Sequence, residues 1–124
     1  MKADTKLEAL ENEIAQMSTL QHTNIVKYVG TYTKSQELWI VMEFMNAGKL
    51  TDLLMQTQFS EAEIATCCRE CLLALKYMHE QNRIHRDIKS DNVLIDDQGK
   101  IKIGTLVVFF FCFLKIFSHK KFYS

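Results

Sequence analysis

The chain has 124 residues, 48% of them hydrophobic, with fifteen basic side chains balancing fifteen acidic ones. That is the size and composition of one globular domain, and the balanced charge argues against nucleic acid or an anionic lipid surface as partner. No apolar run follows Met1-Lys2-Ala3-Asp4, so no secretory signal is visible.

In chain order, Leu7, Leu10, Ile14, Met17 and Leu20 recur at three- and four-residue steps between charged positions, which predicts an amphipathic helix from Asp4 to Leu20. Two β-prone runs follow, Ile25 to Tyr32 and Leu38 to Phe44, joined by the polar turn Thr33-Lys34-Ser35-Gln36 as a hairpin. Asn46-Ala47-Gly48 reads as a breaker, and Leu50 to Gln56 as a short helix. Ser60-Glu61-Ala62-Glu63 has the capping-box pattern, in which the serine oxygen takes a free helix-terminal N–H and Glu63 reaches back. The helix it opens runs to Glu80, with Ile64, Cys68, Cys71, Leu75 and Met78 on one face and Asn82 as a left-handed stop. Val93 to Ile95 and Ile101 to Ile103 are two short strands around the turn Asp96-Asp97-Gln98-Gly99. The fold class is therefore α+β.

Cys67, Cys68 and Cys71 sit together and Cys112 stands apart, a poor layout for a disulfide framework. Cys68 and Cys71 have the spacing of a metal or redox pair, but no second pair lies at zinc-finger distance. They read as small buried thiols within a helix, which suits a reducing, cytoplasmic setting.

The stretch that carries chemistry is His85-Arg86-Asp87-Ile88-Lys89-Ser90-Asp91-Asn92. It fits H-R-D-x-x-x-x-N, in which a carboxylate faces a substrate hydroxyl while an amide oxygen a few residues on holds a magnesium ion against phosphates. From Leu7 to Ile103 the chain resembles the catalytic domains of serine/threonine protein kinases of the PAK (sterile-20) type, most closely at Glu37 to Glu43, at Cys68 to Leu72 and through the loop itself. The resemblance implies a fragment of the two-lobed kinase fold: the small-lobe helix, the last small-lobe strands, the hinge, two large-lobe helices and the catalytic loop with its hairpin. Residues 1–48 would then be a partial small lobe and hinge, 49–103 a partial large lobe, and 104–124 a tail outside the family pattern.

Carried over by that resemblance, Asp87 would accept or orient the substrate hydroxyl proton, Lys89 would neutralise the transferring phosphate, and Asn92 would bind magnesium. Met42 would be the gatekeeper beside the hinge Glu43-Phe44-Met45, whose backbone holds adenine, and Leu94 would floor the adenine pocket. Glu13 resembles the glutamate that pairs with the nucleotide-binding lysine, and Met17, Tyr28 and His85 resemble members of the regulatory spine. ATP and Mg2+ are the cofactors implied. Proteins bearing Ser or Thr are the substrates, with small-GTPase signalling reached through regions outside these residues.

Departures from the pattern are as informative. The family's glycine-rich loop and strand lysine precede the helix that carries Glu13, and neither is among these residues. After Lys100-Ile101-Lys102-Ile103 the family continues with a small residue and Asp-Phe-Gly, whereas this chain reads Gly104-Thr105-Leu106-Val107. The chain by itself is therefore expected to have little or no phosphoryl-transfer activity. Six of the eight phenylalanines lie at or beyond Phe109 and no acidic residue follows Asp97. Leu106 to Phe117 holds eleven apolar residues and Lys115, short of the roughly 20 that span a bilayer. This tail is expected to be read-through of an AT-rich intron in an incomplete gene model, and to favour aggregation. A non-catalytic binding fragment is the alternative.

Overall fold

A computed structural model of the chain describes residues 2–35 and 37–104. Helix α1 (Lys2–Ser18) leads to an antiparallel hairpin of β1 (Tyr28–Lys34) and β2 (Glu37–Met42). Strand β3 (Gly48–Lys49) and helices α2 (Leu50–Gln56) and α3 (Glu61–Glu80) follow, then strands β4 (Val93–Ile95) and β5 (Ile101–Ile103). The sheets are separate, β1-β2 and β3-β4-β5.

The first strand begins later than the β-prone run, and the reason is pairing. Ile25 and Val26 lie beside β5 instead: the Val26 amide donates to the Ile103 carbonyl at 3.0 Å and the Ile103 amide to the Asn24 carbonyl at 2.8 Å. Two residues read as part of a breaker and its flank, Gly48 and Lys49, pair with Ile95 and Leu94. Gly48 sits at φ +84, open to glycine without strain, and so turns the chain from the 43–47 linker into α2. Asn82 stops α3 with φ 55, as its left-handed tolerance suggests.

Strand alternation sorts the core. Val93, Ile95, Ile101 and Ile103 point into one cluster with Leu20, Ile25, Cys67, Ala74 and Met78. The opposite face of the same hairpin presents Leu94 and Lys102, which are cross-strand partners. A second cluster gathers Met17, Val26, Met42 and Met45, with Leu94, Tyr28 and Ile40 packed against it. Asn24 joins the layers, its amide donating to Glu70 Oε2 at 2.5 Å and to the Ile101 carbonyl at 2.9 Å.

The buried stripe of α3 is rotated from the expected one. Cys67, Ala74 and Met78 are buried, whereas Ile64 is 49% exposed and Cys68 is exposed. Cys67, Cys71, Ala74 and Met78 follow steps of four, three and four, so they form the line that meets β5. Cys68, expected to be buried, stands about 100° round the helix from Cys67 and faces out. Leu72 is 63% exposed, on an outer face of α3 that also carries the exposed Arg69 and the Lys76–Glu80 pair. No helix among the described residues is long and apolar enough to cross a membrane.

Both capping-box bonds form. The Glu63 amide donates to Ser60 Oγ at 3.2 Å, and the Ser60 amide donates to Glu63 Oε2 at 2.7 Å. Ser60→Ala is expected to lower stability by about 1 kcal/mol, read as a drop in urea midpoint with unchanged slope.

Candidate functional site: the loop from His85 to Asn92 and the hinge beside it

Arg86 adopts φ 68, a left-handed conformation unusual for its type, and this bend lets His85 turn inward while Asp87 turns out. His85 is 2% exposed. Its Nδ1 accepts the Asp87 amide at 3.2 Å, which leaves the proton on Nε2, directed at the Gly104 carbonyl 2.5 Å away. The Gly104 amide in turn donates to the Asn92 carbonyl at 2.8 Å. Gly104 thus closes the loop from behind through both of its backbone groups.

Asn92 is fully buried. Its Nδ2 donates to the Asp87 carbonyl at 2.6 Å and to Asp87 Oδ2 at 3.1 Å. Both of those groups only accept, so the amide cannot be turned the other way. Asn92 Oδ1 is consequently left buried with no protein partner. An orphaned buried amide oxygen carries a desolvation cost unless something satisfies it, and a hard oxygen beside a carboxylate suits Mg2+. The residues present therefore fit a magnesium ion.

Lys89 Nζ lies 3.3 Å from Asp87 Oδ2, with side chains 51% and 36% exposed. A pair so open to solvent contributes little to stability, and its value is where it places charge. The Asn92 amide, followed by Lys89, holds the Asp87 carboxyl below the ordinary aspartate range. Because this shift is downward, the stabilisation it provides is fully present above the ordinary aspartate pKa of about 4 and is lost as pH falls through the folded value. A carbon-detected NMR titration should find Asp87 titrating low in the native chain and back toward its ordinary range in Asn92→Ala.

Behind the loop, Thr51 Oγ1 on α2 donates to Asp91 Oδ1 at 2.6 Å and lies 2.7 Å from Ser90 Oγ. Sequence reading did not single out this bracket. Ahead of it, Met42, Met45 and Leu94 come together in the second cluster, below the segment Glu43-Phe44-Met45. Neither the Glu43 carbonyl nor the Met45 amide is taken up by another backbone group among the described residues. Glu13 is exposed on α1 and stands apart from Asp87 and Asn92 at a cavity of about 430 Å³ that Met17, Met78, His85 and Arg86 also line. No ion pair to Glu13 is present among the described residues. Met17 and Tyr28 share a cluster, and His85 and Met17 both line that cavity. Thr105 and the rest of the Phe-rich tail, Cys112 included, lie outside the described residues.

Comparison with known proteins agrees with this arrangement. The protein kinase domain family matches residues 1–106. The chain is similar to serine/threonine-protein kinase pakA of Dictyostelium discoideum, 49% identical over 101 residues, which is 79% of this chain and 8% of that protein. It is 45% identical over 104 residues to serine/threonine-protein kinase shk2 of Schizosaccharomyces pombe, covering 83% of this chain and 18% of that one. With serine/threonine-protein kinase PAK 1 of Mus musculus the identity is 44% over 103 residues, 83% of this chain and 19% of the relative. The chain thus spans less than a fifth of the length of these relatives. With the loop geometry and these matches together, the chain belongs to the protein kinase domain family, as a partial domain of the PAK-like serine/threonine type.

Proposed function

We propose that residues 7–103 carry the hinge and catalytic loop of an ATP- and magnesium-dependent kinase that phosphorylates Ser or Thr hydroxyls of proteins. The observation that carries this reading is the Asp87–Asn92 pair, which leaves an ionised carboxylate toward solvent and an unpaired buried oxygen beside it. In this reading residues 1–48 belong to the small lobe and hinge, 49–103 to the large lobe, and 104–124 to a tail outside the family pattern.

Each side chain then has a task its surroundings suit. Asp87, held ionised, orients a substrate hydroxyl and takes its proton late, when the oxygen has become acidic. Lys89 brings a mobile positive charge to the oxygens of the transferring phosphate. Asn92 Oδ1 would hold magnesium, which when bound neutralises phosphate charge. Met42, Met45 and Leu94 supply an apolar wall for adenine, and the Glu43 carbonyl and Met45 amide its hydrogen bonds. Glu13, exposed on α1, would pair with a nucleotide-binding lysine. The free cysteines on α3 suit a cytoplasmic enzyme, and the PAK likeness suits small-GTPase signalling.

In the sequence, Thr105 stands where the family has an aspartate. Losing that charge should slow transfer by roughly 10²–10³-fold against a complete domain. The test is radiolabelled ATP with magnesium and an unstructured Ser/Thr-rich substrate. Little or no transfer is expected from the chain as given, and whatever is measurable should fall by a further 10²–10⁴-fold or so in Asp87→Asn. Equal and measurable transfer by both proteins would remove Asp87 from the reaction.

A further inference from the structure

Lys102 is the middle residue of β5, with isoleucines on either side pointing into the core. Its own side chain points the other way and is only 14% exposed, because Glu43 crosses that face. Lys102 Nζ lies 2.7 Å from Glu43 Oε1 and 2.9 Å from Oε2, so the ammonium bridges both carboxylate oxygens. Glu43 Oε1 also accepts the Lys27 amide at 2.6 Å, and the Glu43 amide donates to the Lys27 carbonyl at 2.9 Å. One carboxylate therefore joins three pieces of chain: the entry to β1, the linker after β2, and β5.

We propose that Lys102 is a positioning residue for nucleotide recognition, which by clamping Glu43 holds the backbone from Glu43 to Met45 at a fixed distance from β4 and β5. The inference rests on the adenine reading of that segment given above. Backbone hydrogen bonds to a planar ligand tolerate little displacement, so the carbonyl and amide that would meet it must be held from outside. Other bonds fix the far end of the linker. The Ala47 amide donates to the Ile95 carbonyl at 3.0 Å, and Asn46 Oδ1 accepts the Asp97 amide at 2.7 Å. Between these ends the Met45 carbonyl accepts the Gly48 amide at 3.1 Å and the Met45 side chain is buried in the second cluster, while Lys102 anchors the near end at Glu43.

The same strand reaches the other half of the site. Two residues beyond Lys102, Gly104 is bonded to both Asn92 and His85. The clamp thus sets adenine recognition and the Asp87–Asn92 loop on one short rigid hairpin, which fixes the distance between the two ends of a bound nucleotide. Deleting the ammonium would leave a carboxylate that is three-quarters buried with one backbone donor, and the linker would shift to hydrate it.

The test compares the full chain with Lys102→Met and Lys102→Arg, the arginine keeping charge and a two-pronged grip on the carboxylate. Hydrogen exchange is read at the Glu43, Ala47 and Gly48 amides, and affinity is read with a methylanthraniloyl-labelled ADP. Lys102→Met should speed exchange at those three amides about tenfold and weaken the nucleotide by a similar factor. Lys102→Arg should restore both, and the amides of α3 should not change in either. Linker exchange and affinity like the wild type in Lys102→Met would overturn the proposal. So would faster exchange spread equally over α3, since that marks loss of general stability. A wild-type chain that binds no labelled ADP, while its linker amides still respond to Lys102→Met, would overturn the adenine reading and leave the clamp standing.

Discussion

Ile103→Ala is expected to destabilise the chain by about 2–5 kcal/mol, enough to leave a large unfolded fraction at ambient temperature. Ile103 is fully buried and sits where the most elements meet. It faces Val93 across the hairpin, forms a parallel bridge with Ile25, and packs in the cluster that includes Ala74 and Met78 of α3. Alanine would keep both of its backbone bonds, to Asn24 and Val26, so the loss is one of packing alone. The cavity could not close, because the surrounding strands are held by hydrogen bonds on either side. Other core positions offer less: Leu20 and Cys67 lie at the cluster margin and keep 8% exposure. Urea unfolding followed by circular dichroism measures the effect. A midpoint within error of the wild type would mean that α3 does not pack on β5.

Asn92→Ala is expected to abolish the metal-dependent part of nucleotide stabilisation. A ligand at a hundredfold its dissociation constant raises the stability of the native state by about 2.7 kcal/mol. In the wild type a share of that should vanish when EDTA replaces Mg2+, because Asn92 Oδ1 has no protein partner among the described residues to take the proposed ion's place. In Asn92→Ala, ADP with Mg2+ and ADP with EDTA should give the same thermal midpoint. The substitution also removes the amide that grips Asp87, so the carboxylate should titrate nearer its ordinary range. Leaving the Asp87 carbonyl unbonded costs some stability in the absence of ligand. The difference between the two ADP conditions cancels that cost.

Much of this was legible because the informative features are local. The catalytic loop declares itself by residue types at fixed offsets, and its bonds, from Asp87 to His85 and Asn92, run over two to five residues. The capping box and the Asn82 stop are local for the same reason. What escaped depends on pairing across long separations. Strand β3 exists only because Gly48 and Lys49 find β4 more than forty residues later. Ile25 leaves the first hairpin because β5 offers it an edge. Lys102, in Ile101-Lys102-Ile103, has the pattern of a strand's solvent side, and only the passage of Glu43 over that face makes it an ion-pair partner. Asn24 meets Glu70 and Ile101, contacts that no periodicity encodes. On α3 the helix was evident, but two overlapping apolar stripes competed, and the one facing β5 prevailed.

The account turns on whether Asn92 Oδ1 is the place where a nucleotide's metal ion rests. Manganese can stand in for magnesium, and its unpaired electrons broaden nearby NMR signals steeply with distance. Titrating the labelled chain with Mn2+ and ADP should first broaden the Asn92 side-chain amide and the backbone amide of Asp87. The N-terminal turns of α3 should stay sharp, and EDTA should reverse the effect. Broadening centred instead on the acidic positions of α1, or none at the Asn92 side chain while ADP is bound, would contradict it.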